Sequence, residues 1–313
     1  MSVVKLFFFH FSLSTFIMIF IAGASGFVGG HLIDALLKSG YKLRCLARSE
    51  KAEKALRGKG IEVVSGDITI PETIKGALDG VDFVIHLVGI IEEKGSATFL
   101  KVHVEGTRSL IAEAKRAGVK HFFYQSALGA DKSSFSGYLR TKAEAEEIVE
   151  ASGIHWTIFR PSLIIGKWDG FTKRLKNLIK RAPVIPIPGD GKSRLQPIYI
   201  NDWVKCMLRA LASPESFKGI FEIAGQQQLT YNEIVKELAD VMKSKKTITH
   251  IPMGLMKLGA LLAEKTIPFL PVSSGQLRLL EIDNICDIHS VERNFGFKPA
   301  KYKDALKEFI LEK

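Results

Sequence analysis

Cysteine is scarce. Cys45, Cys206 and Cys286 are the only three in 313 residues, and no two stand in a C-x-x-C spacing. An odd, scattered set excludes a secreted disulfide scaffold and a zinc ribbon, and suits a reducing compartment. Proline (11) and glycine (27) are too few and too scattered for collagen or low-complexity disorder. The histidines show no ligand spacing, so no metal is expected. No zinc-finger, RRM or basic-zipper pattern is present, and no nucleic-acid partner is expected. Acid is in deficit: 44 Lys and Arg against 33 Asp and Glu leave a net charge of +11. That excess suits anionic partners such as phosphorylated ligands or acidic lipid surfaces, or is simply a solvated Lys-rich surface. The chain is long and apolar enough to bury a full core without covalent staples.

Residues 6–22 are almost wholly apolar. Residues 18–21 run straight into Gly23 as a strand feeding a glycine turn, so they cannot also serve a membrane span. What remains, residues 3–17, is shorter than the ~20 a spanning helix needs and is interrupted by His10, Ser12 and Ser14. Residues 1–17 are therefore expected outside the packed fold. They read as an upstream start ahead of Met18, a weak membrane-surface tether, or an export signal.

From Met18 short apolar runs alternate with amphipathic stretches, the pattern of an α/β protein. Strands are expected at 18–22, 42–47, 61–65, 83–87, 121–125 and 155–159. Val28, Leu32, Ala35 and Leu36 share one helix face, with Gly40 as the stop. Residues 104–117 and 138–151 show the same spacing, closed by Gly118 and Gly153. Near-continuous apolar strands separated by helices imply a Rossmann-type, doubly wound parallel sheet covered on both faces. After Pro161 the rhythm changes. Proline and glycine cluster in a loop at 182–191, and helices are expected at 230–243, 253–264, 273–282 and 302–311. The expected organisation is a dinucleotide domain at 18–165, with 219–224 returning as an edge strand, and a smaller, mostly helical substrate domain at 166–313.

Gly23-Ala-Ser-Gly26-Phe-Val-Gly29 lies directly after the first strand and before the first helix. Glycines permit the tight turn and let backbone approach a pyrophosphate, which the helix N–H groups then hold. Gly23, Ser25, Gly26, Phe27, Val28 and Gly29 are the candidate contacts. A carboxylate at the end of the second strand would accept from a ribose 2′-OH, whereas a 2′-phosphate calls for arginine. The segment reads Arg44-Cys-Leu-Ala-Arg48-Ser49, so Arg48 favours NADP(H). Glu50 leaves NAD(H) open if the strand ends two residues later.

This constellation resembles the extended short-chain dehydrogenase/reductases over nearly the whole chain from Met18. Gly66-Asp67 is similar to the pair whose Asp lies beside adenine in that family. His86-Leu87-Val88-Gly89 is similar to its cofactor-lining strand end. The strings VHVEGTRSLIAEAKRAGVKHFFYQSALGA, YLRTKAEAE, WTIFRPSLIIG and GDGKSRLQPIYINDW resemble an atypical group within it, that of the nucleotide-binding accessory subunit of respiratory complex I and its bacterial, epimerase-like relatives. The resemblance implies cofactor contacts from Leu87, Val88, Gly89 and Pro161. Tyr138 and Lys142 form its Y-x-x-x-K, and a four-residue spacing puts both on one helix face. There the Lys ammonium would lower the Tyr138 pKa and hold a ribose, and Tyr138 would relay a proton. Ser126 matches the carbonyl-binding hydroxyl, although a register one residue later would put Ala127 there. His103 stands where many relatives show Asn.

Residues 173–194 carry seven basic side chains and one acid, Asp190. They suit an anionic head group, a nucleotide diphosphate or phospholipid, or form a plain basic surface. Residues 253–270, rich in Met, Leu and Phe, read as core or as a quinone or membrane contact. Two function classes follow. One is a nicotinamide-dependent oxidoreductase of a small or lipid-like carbonyl, with a nucleotide-sugar epimerase or dehydratase as its variant. The other is a cofactor-binding structural, assembly or sensor protein in contact with a membrane respiratory complex. The expected location is cytoplasmic, or peripheral to a membrane. A chain starting at Met18 is expected to keep its melting temperature and its dinucleotide affinity. Unfolding on truncation would place residues 1–17 in the core.

Overall fold

The computed structural model describes residues 17–256, 280 and 282–311. Nearly all of the 1–17 leader, most of the expected helices at 253–264 and 273–282, and most of the apolar stretch 253–270 lie outside the described residues.

The first strands and helices alternate as β1 (Met18–Ala22), α1 (Phe27–Lys38), β2 (Lys42–Ala47), α2 (Glu50–Arg57), β3 (Glu62–Ser65) and β4 (Phe83–His86). A π-helical turn, Leu100–Glu105, leads into α3 (Gly106–Ala117). Then come β5 (His121–Gln125), α4 (Gly137–Glu150) and β6 (His155–Pro161). Beyond it lie β7 (Ile164–Ile165), α5 (Gly170–Arg181), β8 (Ile185–Pro188), β9 (Arg194–Leu195), β10 (Ile198–Tyr199) and α6 (Ile200–Ala212). The chain continues through β11 (Gly219–Ile223), β12 (Leu229–Thr230), α7 (Tyr231–Val241) and β13 (Ile248–Ile251) to α8 (Ser290–Phe295) and α9 (Tyr302–Ile310).

The main sheet has seven strands in the order β11-β6-β5-β4-β1-β2-β3. The pairings from β3 across to β6 are parallel, with Met18 opposite Lys42 and Ile19 opposite Phe83. β1 is the switch point: the chain winds one way to β2 and β3, then returns to β4 on the other side. Ligands bind outside the strand ends at such a reversal. The doubly wound sheet expected from the sequence is therefore present. Its centre is apolar through both faces, because helices cover both. Ile19, Phe20, Ile21 and Ala22 of β1 and Phe122, Phe123 and Tyr124 of β5 have essentially no exposed surface. Helix α1 buries Gly29, Leu32, Ile33 and Leu36 against it. Helix α3 stops at Gly118, whose φ of 68° only glycine adopts cheaply.

The chain divides into two compact units, Met1–Arg160 with Val204–Phe221, and Pro161–Trp203 with Glu222–Lys313. The second combines helices with three two-stranded ladders, β10-β7, β12-β9 and β13-β8. One of these corrects the sequence reading of 182–191 as a loop. Ile185–Pro188 is a strand, paired in parallel with Ile248–Ile251. Alternation explains how prolines fit. Ile185 N–H and Gly189 N–H donate to Thr247 and Ile251, while the nitrogens of Pro186 and Pro188 face the other edge.

Polar groups inside the first unit are paired across elements. Glu146 of α4 receives two hydrogen bonds from Arg160 of β6, at 2.8 and 2.5 Å. His121 pairs with Thr157 at 2.8 Å, and the Thr157 hydroxyl donates to the Phe217 carbonyl. Burial lowers the pKa of His121 to about 4, of His86 to about 3 and of His103 to about 2. In the unfolded chain these imidazoles take up protons below about pH 6.5. The unfolded state then binds more protons, and stability falls with pH from about 6.5 downward. The three together contribute a slope approaching roughly 4 kcal/mol per pH unit between about pH 6 and 4. Urea melts across that range should show this loss, and His121→Gln should remove about a third of it. A pH-independent midpoint would mean the histidines are protonated in the fold.

Candidate active site

The glycine turn sits at the carboxyl end of β1. Gly23 has φ 93°, and a Cβ there would lie 3.0 Å from the backbone of Leu87 and Val88. The ends of β1 and β4 thus touch, and Leu87 N–H donates to the Ala22 carbonyl at 2.8 Å. A Cβ on Gly29 would be 2.3 Å from the Gly23 carbonyl oxygen, so α1 packs on the turn as only glycine permits. Gly26 caps α1 without a side-chain hydrogen bond, and the first turn holds no acid. Ser25 and Gly26 are exposed, and Phe27 and Val28 are half-buried. Small residues, an N-terminal helix dipole and an unshielded first turn fit a dinucleotide pyrophosphate.

Strand β2 ends at Ala47, so Arg48 is the first residue beyond it. Its side chain is 73% exposed and lies 3.9 Å from Asp67. Ser49 caps α2 by accepting from Ala52 N–H, and Glu50 is tied to Lys54 at 2.6 Å along that helix. Asp67 accepts from the Thr69 backbone and hydroxyl on one oxygen, at 2.8 and 2.9 Å. Its other oxygen faces Arg48.

Tyr138 and Lys142 occupy the first turns of α4. The Lys142 ammonium donates to the Gln125 carbonyl at 3.0 Å and stands 5.1 Å from the Tyr124 ring centre. A Cβ on Gly89 would be 2.9 Å from that ammonium. The structure therefore brings Gly89, Gln125 and Lys142 together where β4 and β5 end, and Tyr138, one turn before Lys142, packs against Phe99 and His103. Burial drops the Lys142 pKa to about 8, with Glu146 resisting the shift. Tyr138 departs from the sequence expectation: its hydroxyl is pushed up to about 12, not lowered. Desolvation by the protein packed around it dominates, and the neighbouring ammonium does not offset it. Ser126 is buried directly after β5. Its hydroxyl and the Gln125 side-chain oxygen have no hydrogen-bond partner among the described residues. Pro161 ends β6 and belongs to the second unit, as do residues 173–194.

His103 has a role that sequence reasoning missed. The π turn presents it inward. Its Nε2 accepts from Ile90 N–H at 3.0 Å, which obliges Nδ1 to carry the proton. Nδ1 then donates to Thr141 at 2.9 Å, and Thr141 donates to the Gly137 carbonyl at 2.8 Å. The imidazole stacks on Phe99 and meets Tyr138 edge-on, at 5.5 and 5.7 Å between centres. It thereby ties the segment after β4 to the start of α4. The only signal for this in the sequence was the histidine itself. Behind it, His86 pairs with Thr107 at 3.0 Å. Among the described residues no group of three His, Cys, Asp or Glu is placed to hold a metal.

The profile of the NmrA-like family matches residues 17–293. The chain belongs to that family. It is 32% identical over 244 residues to a ceramide reductase of Caulobacter vibrioides, covering 77% of this chain and 76% of that protein. It is 26% identical over 308 residues to the mitochondrial NADH dehydrogenase [ubiquinone] 1 alpha subcomplex subunit 9 of Arabidopsis thaliana, covering 93% and 76%. A solved nucleoside-diphosphate-sugar epimerase from Staphylococcus aureus superposes with a TM-score of 0.75 at 18% identity, covering 93% of this chain and 100% of that one. The likeness to extended short-chain dehydrogenase/reductases and to the complex I subunit group is thus borne out. Among the described residues no helix is long and apolar enough to cross a membrane.

Lys142 titrates near 8 in the fold and above 10 when unfolded. Between those values the unfolded state holds the extra proton, so this residue makes stability rise with pH. The gain is roughly 3 kcal/mol from pH 8 to 10.5. Lys142→Met should be more stable than the parent at pH 7 and should lose that rise. Parallel pH–stability curves for the two proteins would show that the ammonium is not buried.

Proposed function

We propose that this protein is a nicotinamide-dependent reductase that prefers NADP(H) and reduces the carbonyl of a lipid-like substrate. The observation that carries the reading is the Ser126 hydroxyl, buried without a partner beside the strand end where Lys142 bonds Gln125. A buried unsatisfied hydroxyl costs about 1–3 kcal/mol, a cost that a substrate oxygen would repay. The bound cofactor supplies hydride. Ser126 polarises the carbonyl, Tyr138 gives its proton to the carbonyl oxygen, and the Lys142 ammonium favours the phenolate left behind. Gly23, Ser25, Gly26, Phe27, Val28 and Gly29 would hold the pyrophosphate, and Leu87, Val88 and Gly89 would line the nicotinamide side. The family resemblance implies a further cofactor contact from Pro161. Arg48, exposed at the end of β2, would bind a 2′-phosphate, and Asp67 would lie beside the adenine.

An apolar substrate agrees with the Phe99, His103 and Tyr138 rings, with exposed Leu100 at the start of the π turn and with exposed Ile91 and Phe135. The name of the Caulobacter relative, a ceramide reductase, points the same way. A second reading, a dinucleotide-binding subunit or sensor, is favoured by the raised Tyr138 hydroxyl and by His103 in the place of Asn. The complex I subunit among the relatives fits it.

Calorimetry should show NADPH binding at least tenfold tighter than NADH, with Arg48→Ala erasing the difference. Tighter NADH binding would sink the cofactor assignment. With a carbonyl lipid and NADPH, Tyr138→Phe should cut turnover by about 10²–10⁴ with affinity for NADPH kept. Unchanged turnover would exclude Tyr138 as the acid. Tight NADPH binding without turnover on any lipid carbonyl would favour the subunit reading.

A further inference from the structure

Helix α5 lies in the second unit and has two unlike faces. Thr172, Leu175 and Ile179 are buried on one side. Lys173, Lys176 and Lys180 recur at i, i+3 and i+7 along a flank, Lys173 and Lys180 exposed and Lys176 half-buried, and half-buried Arg174 and exposed Arg181 follow further round the helix. Between residues 167 and 184 there are six basic residues and a single acid, Asp169. That acid is buried as the helix cap, accepting from Thr172 N–H and Gly166 N–H, and offers the surface no negative charge. The basic field continues past the helix end, where Lys246 donates to the Lys180 carbonyl at 2.8 Å beside exposed Lys243 and Lys245.

At the other end stands Trp168, 76% exposed. Its φ is 75°, left-handed backbone that a bulky residue rarely adopts. Such strain persists where the surroundings or the function demand it. Here it presents an indole outward, with the Lys167 ammonium 5.5 Å from the ring centre. Tryptophan beside lysine, next to a basic amphipathic helix, matches the chemistry of a lipid headgroup region.

We propose that Lys167, Trp168 and the outward face of α5 dock on an anionic lipid bilayer. A single phosphate ligand would need converging cations in a pocket, whereas these are spread over about 18 Å of convex helix. A single-stranded nucleic acid would need a groove with several stacking rings, and this face offers one.

The test is co-sedimentation with vesicles of phosphatidylcholine, with and without 30 mol% phosphatidylglycerol, at about 0.1 and 0.5 M salt. Binding should require phosphatidylglycerol and weaken at high salt. The Lys173→Gln, Lys176→Gln, Lys180→Gln triple variant should lose roughly a hundredfold in partitioning. Trp168→Gly removes the ring and relieves the backbone, so it should melt at the same or a higher temperature yet bind vesicles more weakly. Of the three tryptophans, Trp203 is fully buried and Trp156 half-buried, so a blue shift on vesicle addition should come from Trp168 and vanish in Trp168→Phe. No binding to anionic vesicles would overturn the proposal, as would full binding by the triple variant and Trp168→Gly. Single-stranded DNA that binds and displaces the vesicles at equal charge would assign the face to nucleic acid instead.

Discussion

The buried ammonium of Lys142 organises the polar interior of the first unit. Its hydrogen bond to Gln125 fixes it where β4 and β5 end, and its charge adds to burial in keeping His86 and His103 neutral. Neutrality in turn gives His103 an acceptor nitrogen for Ile90 and a donor nitrogen for Thr141. The segment after Gly89 and the first turn of α4 are held together by that ring. Glu146 sits one turn further along the same helix, bound by Arg160. Its charge opposes the desolvation of Lys142 but does not outweigh it.

What could be read from residues alone follows from what each feature depends on. The strands β1, β4 and β5 are buried on both faces, and their near-continuous apolar runs are visible in any linear reading. Gly23, Gly26 and Gly29 are constrained by backbone contacts a few residues away. Tyr138 and Lys142 share a face through helical periodicity. The harder features depend on distant neighbours. The π turn at Leu100–Glu105 carries no local signature, so the inward aim of His103 was hidden. The rise in the Tyr138 pKa comes from packed mass around the ring, whereas the spacing to Lys142 suggested a fall. Proline density at 182–191 suggested a loop, because the partner strand lies some sixty residues further on.

The nucleotide end shows a different balance. Arg48 and Asp67 face each other across 3.9 Å at the surface, where water weakens the attraction to a few tenths of a kcal/mol or so. Such a pair positions the guanidinium without sequestering it. The carboxylate is itself partly committed to Thr69, so its remaining oxygen is a weak competitor for any anion that approaches Arg48.

The ladder formed by Ile185–Pro188 has a consequence for self-association. One edge of this strand is satisfied by Ile248–Ile251. On the opposite edge Pro186 and Pro188 have no N–H to offer, so an incoming strand would find acceptors and almost no donors. Short unprotected ladders are where chains recruit one another into aggregates. Alternate prolines close this one chemically while leaving its apolar side chains, Ile185 and Ile187, free to pack inward.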